Sequence, residues 1–528
     1  MIAQNPHVDM TLDGVEIFLN SSASHHELRK SAYVSTSLIK QFTSKCGGIY
    51  VYTNQRGCDG DRLYFDGVST ISVNGEIVAK SRQFALEEVE VITAVVDLED
   101  VRNERMQHRS SRDAATKVEP YPRFQVDVAL SEVDDLHLAP SSPLQVKYHT
   151  VEEEIALGPA CWLWDILKRS NLGGFFLPLS GGRDSASTAC VVYSMCRLIC
   201  QSVKDGDDEV INDLRAIVGD SRYVPENPKE LCNRLFVTCY LGTENSSQKT
   251  KDCAEKLAGE IGSYHVSCKI DIVVNAVLTI FKTACGFVPK FRCHGGETRE
   301  NLALQNLQAR LRMVVSYFFA QLTQWSRSKR SSLLVLGSAN VDESLTGYMT
   351  KYDCSSADFN PIGGLSKNDL KKFLEYSYVE FELPALRKII DLEPSAELEP
   401  LQNGVVVQSD EADMGMTYDE LSVIGKLRKP GNCGPYSIFC KLVHIWSNRY
   451  TPLQVAEKVE LFFRMYSMNR HKMTVITPSY YAESYSPDDH RYDHRQFLYN
   501  VKWPWQFKLI ESKVRISYFS LFCIRKLI

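Results

Sequence analysis

Phe175-Phe176-Leu177-Pro178-Leu179-Ser180-Gly181-Gly182-Arg183-Asp184-Ser185 is the stretch on which the fold turns. Its first five residues are apolar and bounded by a turn signal, the mark of a short buried strand. Two glycines and small hydroxyl residues follow, and then a helical pattern runs through about Val203. A Gly turn between a strand's carboxyl end and a helix is where an open α/β sheet binds ligands. Glycines let the backbone approach a phosphate closely, and the free N–H groups of the first helical turn attract anions. Ser180 and Ser185 add hydroxyls, and Asp184 adds a carboxylate able to hold a magnesium ion against phosphates.

The surrounding sequence repeats the strand–helix alternation. Arg234–Tyr240 reads as a second strand and Leu333–Gly337 as a third. Between them a helix places Leu307, Leu311, Val314, Phe318 and Leu322 at three- and four-residue intervals, which predicts a core-facing stripe. Such alternation predicts an α/β domain with a parallel sheet. Upstream, Val15–Leu19, Gly48–Tyr52, Val68–Val73 and Val89–Val96 read as β-type runs, and Asn74-Gly75 is a hairpin signal. His137–Pro143 reads as a linker and the acidic segment Pro394–Asp413 as an exposed loop. The expected domains are therefore 1–135, a linker at 136–150, 151–507, and a tail at 508–528.

Composition removes other classes. With 44% apolar and 24% charged residues and a net charge of -5, the chain has ordinary globular composition and no electrostatic reason to bind nucleic acid. No stretch has the length and apolarity of a membrane span, and Met1–Met10 is no signal peptide. The sixteen cysteines form no C-x-x-C pair, and Cys190, Cys196 and Cys200 share one helix. They read as small core residues in a reducing, cytoplasmic compartment.

The loop Ser180–Ser185 lacks the G-K-[ST] ending of a Walker motif. It resembles instead the PP-loop of N-type ATP pyrophosphatases, which cleave ATP between the α and β phosphates to adenylate a substrate. On that resemblance Pro178, Leu179, Ser180, Gly181, Gly182, Arg183, Asp184 and Ser185 form the ATP cradle. Arg183 stands as either a phosphate contact or a solvent-facing side chain.

Four further stretches, Asn306–Met313, Val335–Glu343, Gly347–Tyr352 and Ala357–Ile362, occur in the order seen in NAD synthetases, and the chain resembles the eukaryotic glutamine-dependent form most closely. That resemblance implies an α/β fold: a PP-loop ATP-pyrophosphatase (adenine nucleotide alpha hydrolase-like) parallel-sheet domain preceded by a partial αββα nitrilase-like domain. It implies ATP contacts at Ser338, Lys367 and Ser395, with Ser246-Ser247 on the adenosine side. It implies magnesium ligands at Asp184 and Glu343, and deamido-NAD contacts at Arg310, Lys351, Asp358, His471 and Lys472. Ser180, Asp184 and Lys351 carry the catalytic roles, Ser180 as a phosphate ligand rather than a covalent nucleophile. Read singly, Lys351, Lys367 and Lys472 are ordinary surface lysines; the ordered set is what reads as a site. The implied reaction adenylates the nicotinate carboxylate of deamido-NAD, and ammonia then displaces AMP to leave NAD. The family also implies a homo-oligomer.

Residues 1 to about 135 resemble the second half of a nitrilase-like amidase through Gly14–Ile17, Ser22–His26 and Asn54–Gly60. The family's Glu, Lys and Cys for glutamine hydrolysis correspond to positions upstream of Met1. The expectation is a truncated glutaminase domain with exposed sheet or helix faces, a chain fed by ammonia, and a divergent tail after Phe507. Cys46 and Cys58 stand in no C-x-E context. Two other readings remain: a GMP synthetase-like PP-loop ligase, against which Thr350–Pro361 argues, and a non-catalytic truncated subunit.

Overall fold

The β-branched and aromatic runs before residue 81 form Ile17–Ser22 (β1), Ile49–Asn54 (β2), Arg56–Cys58 (β3), Tyr64–Asp66 (β4), Thr70–Val73 (β5) and Glu76–Lys80 (β6). Asn74 and Gly75 both take positive φ, 46° and 91°, the backbone that a two-residue hairpin loop requires, and β5 pairs antiparallel with β6 across them. The computed structural model describes residues 6–129, 137–329, 331–402, 406, 408–487 and 498–524, with side chains to residue 516. The expected boundary at 135–136 and the end of the expected tail lie outside the described residues. Two compact units result, Met1–Asp59 with Leu63–Glu154 and Gly60–Arg62 with Ile155–Ile528.

In the first unit the sheet order is β1-β2-β5-β6, parallel between β1 and β2 and antiparallel elsewhere. Phe18, Tyr50 and Tyr52 pack on one face with Ile39 and Phe42 of a helical run, 31–46. Ile49, Ile71 and Ala79 pack with Val101 of the helix Leu98–Gln107. The sheet is thus covered on both faces, while exposed apolar side chains remain at Leu19 on edge strand β1, 79%, and on the covering helices at Leu38 and Met106, 52% and 60%. The run Val89–Val96 is extended but is no strand. Its Val95 exchanges hydrogen bonds with Ser141 instead of a ladder, so the segment read as a linker is fastened alongside it.

In the second unit Phe175–Pro178 (β7), Phe236–Gly242 (β8), Tyr264–Lys269 (β9) and Leu334–Val335 (β10) form a parallel sheet in the order β10-β7-β8-β9. Phe175, Phe176 and Phe236 are fully buried in it. The helices of this unit include Arg183–Lys204 (α1), Gln248–Ile261 (α2), Asp271–Cys285 (α3), Thr298–Ser326 (α4), Val341–Thr346 (α5), Lys367–Glu380 (α6), Ala385–Ile390 (α7) and Asp410–Met414 (α8). Cys190, Cys196 and Cys200 are buried in α1. The helices Tyr418–Arg428, Pro435–Ile445, Pro452–Met468 and Pro504–Ile524 share a further core, in which Ile510 and Val514 of the expected tail are buried. Among the described residues no helix is long and apolar enough to cross a membrane.

Three readings change. The stripe on α4 faces the core only in part: Leu311 packs against it, but Val314, Phe318 and Leu322 are 62%, 61% and 41% exposed, while Leu304, Gln308, Ala309, Met313, Ser316 and Ala320 face inward. Periodicity reports that a stripe exists, not what covers it. Strand β9, with no continuous apolar run, was not anticipated. The described residues of 394–413 are mostly not an exposed loop, because polar groups among them have fixed partners: Glu397 on Ser247 and Thr250, Glu399 on Asn301 and Gln305.

Candidate active site

The loop after β7 begins where the Leu179 amide donates to the Cys239 carbonyl of β8 at 2.8 Å, which ties its start to the sheet's carboxyl edge. Gly181 takes φ 82°, and a Cβ there would lie 2.1 Å from the Thr250 carbonyl oxygen in the first turn of α2. Backbone is in the way, so only glycine fits. Ser180 Oγ lies 2.9 Å from Ser185 Oγ and accepts the Gly182 N–H at 3.3 Å, folding the loop over the start of α1. The Arg183 guanidinium binds the chain itself. Its Nε and Nη2 donate to the Ile390 carbonyl and its Nη2 to that of Leu392, fastening the loop to the end of α7.

Asp184, one residue into α1, meets two other elements. Asn340, the N-cap of α5, donates from Nδ2 to Asp184 Oδ1 at 3.2 Å while its Oδ1 accepts the Glu343 N–H at 3.1 Å. One side chain therefore both caps the helix that carries Glu343 and holds Asp184. The Lys367 ammonium, at the start of α6, bridges Asp184 Oδ2 and Glu343 Oε1, the latter at 3.2 Å. It is no surface lysine, at 5% exposure. The Tyr418 hydroxyl lies 3.2 Å from both Glu343 Oε1 and Asp410 Oδ2, and Tyr348 reaches Asp410 and Asp413.

Burial drives the Glu343 and Asp410 carboxyls above their usual range. Burial alone would depress Lys367, but the charges of Asp184, Glu343 and Asp410 outweigh it and raise its pKa. Three carboxylates share one ammonium, an acidic excess that suits an added divalent cation. Among the described residues no three His, Cys, Asp or Glu side chains could hold a metal by themselves. The oxygen pair Asp184 and Glu343 does fit magnesium, which takes one or two carboxylates and completes its shell with water and substrate phosphates.

The other anticipated residues fall around this centre. Ser338 lies half-buried past β10, and Ser395 Oγ accepts the Glu397 N–H at 3.3 Å. Ser247, the N-cap of α2, is engaged by Glu397, while Ser246 Oγ accepts the Thr243 N–H. Arg310 donates from Nε to the Lys351 carbonyl at 2.9 Å, and the Lys351 ammonium lies over the Tyr352 ring. Lys472 donates to the carbonyls of Gly347 and Met349 at 2.6 and 2.7 Å, beside an exposed His471. Asp358 sits behind β10, accepting the Tyr317 hydroxyl and the Val335 N–H. The structure thus gathers Asp184, Glu343 and Lys367 at the loop, groups Arg310, Lys351 and Lys472 around residues 347–352, and holds Asp358 in local bonds. Asn340, Asp410 and Tyr418 escaped the sequence reading. Asn340 was detectable as a helix start, with an acidic residue three positions on; the other two carry no spacing signal.

The sequence profile of the NAD synthase family matches residues 159–475, and that of the carbon-nitrogen hydrolase family matches 2–106. The glutamine-dependent NAD(+) synthetase of Mus musculus is 59% identical over 511 residues, 97% of this chain and 70% of that protein. Those of Homo sapiens and Saccharomyces cerevisiae are 58% and 53% identical over 97% of this chain and 72% of each relative. Among solved structures, a glutamine-dependent NAD(+) synthetase from Cytophaga hutchinsonii superimposes with a TM-score of 0.70 at 20% identity, covering 95% of this chain and 71% of that one, a likeness of fold.

Proposed function

The chain belongs to the glutamine-dependent NAD(+) synthetase family, with a nitrilase-like carbon-nitrogen hydrolase region followed by an NAD synthase PP-loop domain, and from that premise we propose that it converts deamido-NAD to NAD at the expense of ATP. The observation that carries this is the meeting of Asp184, Glu343 and Lys367 at the mouth of the loop Ser180–Ser185.

A carboxylate is a poor acyl donor, and adenylation supplies the leaving group. The nicotinate carboxylate attacks the α-phosphorus of ATP and pyrophosphate leaves; ammonia then attacks the acyl-adenylate and AMP leaves. The amides and hydroxyls of Ser180–Ser185 bind the departing pyrophosphate, and Lys367 carries positive charge to it. Asp184 and Glu343 would hold magnesium, which would neutralise charge on the phosphates. Ser338 and Ser395 fit the nucleotide, and Arg310, Lys351, Asp358, His471 and Lys472 the dinucleotide substrate.

For the nitrogen, this polypeptide takes ammonia. Support comes from its first unit, where the two cysteines are poor nucleophiles: burial pushes the Cys46 thiol up, and Cys58 is buried. The protein works as a homo-oligomer. The exposed face of α4 supports this, with Trp325 at 74% exposure continuing Val314, Phe318 and Leu322, and Ile280 and Phe281 of α3 at 68% and 46%.

Purified protein incubated with deamido-NAD, Mg-ATP and either ammonia or glutamine tests the proposal. NAD formed with ammonia alone is the expected result. Turnover with glutamine refutes the nitrogen assignment, and an unchanged rate in Asp184→Ala refutes the site.

A further inference from the structure

Arg312 lies on α4 one turn beyond Gln308 and therefore on the same helix face. Gln308 marks where that face points. Its Oε1 accepts from Thr243 and Asn245, just past the carboxyl end of β8, and its Nε2 donates to the Leu398 carbonyl. Cys354, Tyr240, Glu397 and Asp353 lie within electrostatic reach of the Arg312 guanidinium, though burial outweighs them and lowers its pKa. It stands between the β8 edge on one side and the 353–354 turn on the other.

Its Nε is buried with no hydrogen-bond partner. The two nearby carboxylates are already engaged. Glu397 Oε2 accepts from the Ser247 N–H and the Thr250 hydroxyl, and its Oε1 from the Ser247 hydroxyl. Asp353 Oδ1 accepts from Ser355 and its Oδ2 from the Thr350 N–H. A guanidinium keeps its charge, and a buried donor without an acceptor is costly. This one is buried near two carboxylates yet joined to neither, which leaves its Nε free to meet an acceptor from a ligand. Its neighbour Arg310, by contrast, donates to the chain's own Lys351 carbonyl.

We propose that Arg312 is a phosphate ligand of the adenylation site, binding the α-phosphoryl oxygens of ATP and keeping them through the acyl-adenylate. This rests on the reaction proposed above. Of the anionic groups in that reaction, the α-phosphoryl is the one that joins the nucleoside, on the β8 side, to the carboxylate substrate, on the 347–358 side. A planar fork suits two of its oxygens.

AMP carries that phosphate alone, and adenosine lacks it. Calorimetric titration of the full chain should show AMP binding about 10- to 100-fold more tightly than adenosine. In Arg312→Met that ratio should fall towards one, with adenosine affinity unchanged, an outcome that a purely structural role would not produce. Arg312→Lys, which keeps the charge and most of the stem, is read in parallel and should retain part of the ratio; it carries the test if the Met variant does not fold. An undiminished ratio in a folded variant, or no preference for AMP in the unmutated chain, overturns the proposal. An Arg312-dependent ratio in a chain that forms no NAD would leave Arg312 a phosphate ligand and overturn the reaction instead.

Discussion

Replacing Lys367 by Met tests the electrostatic centre directly. The ammonium is 5% exposed, and the carboxylates it bridges have side chains only 20% (Asp184) and 16% (Glu343) exposed. At an effective dielectric near 20, a unit pair 3.2 Å apart attracts by about 5 kcal/mol, most of which the desolvation of both ions offsets. Removing the ammonium forfeits the attraction and leaves the desolvation in place, but Glu343, already raised by burial, then takes up a proton, so the expected loss lies at the lower end of about 3–5 kcal/mol. Methionine keeps the stem length, and the residue's backbone N–H can still donate to Asp342 Oδ2. The assay is urea unfolding followed by tryptophan fluorescence. All six tryptophans lie at Trp162 or later, so the signal reports the second unit alone. Magnesium should then discriminate. If the cation takes the position the ammonium held, a concentration near 100 times its dissociation constant restores up to about 2.7 kcal/mol in the variant. The unmutated chain should gain less at the same concentration, because the Lys367 charge beside Asp184 and Glu343 weakens their hold on a second cation. A variant within about 0.5 kcal/mol of the parent, as for an ordinary surface change, or equal magnesium gains in both, would refute the reasoning.

Gly181→Ala should raise the KM for ATP at least tenfold and cost about 1–3 kcal/mol, because a positive-φ strain is joined by a Cβ 2.1 Å from a backbone oxygen; a normal KM counts against the close approach to α2. Glu27 is held at about 2 by its hydrogen bond to His25 and by Lys30, well below the ordinary value of 4.5. A depressed carboxylate stabilises above the unfolded pKa and ceases to do so as pH falls through the folded one. Glu27→Gln should therefore cost up to about 3 kcal/mol at pH 6 and nothing near pH 2, read from acid-dependent circular dichroism of the first unit; a penalty independent of pH would exclude the charge as its cause. Phe318→Glu should shift the chain to a smaller species in sedimentation if α4 joins two copies, and an unchanged mass would discard that face as the contact.

Local chemistry was legible where it depends on neighbours in sequence. The loop Ser180–Ser185, the hairpin at Asn74-Gly75 and helix α1 follow from residue order, because turn geometry and helical period are properties of a few consecutive residues. The family resemblance carried the further step, from a phosphate loop to particular distant positions. Tertiary structure decided what required two distant segments to meet. It showed Arg183 fastened to the end of α7, where sequence had left phosphate and solvent as the choices. It turned Val314, Phe318 and Leu322 of the α4 stripe outward while Leu311 packs inward, since period cannot say which face finds a partner, and it drew Glu397, Glu399 and Asp410 out of a supposed surface loop. Lys367 shows the division most clearly. Alone in sequence it is one lysine among many, and burial between Asp184 and Glu343, 183 and 24 residues away, is what makes it part of the candidate site. Sequence determined that a phosphate loop would form; only the fold brought the charges to it, because carboxylates from separate helices converge through packing and not through any pattern along the chain.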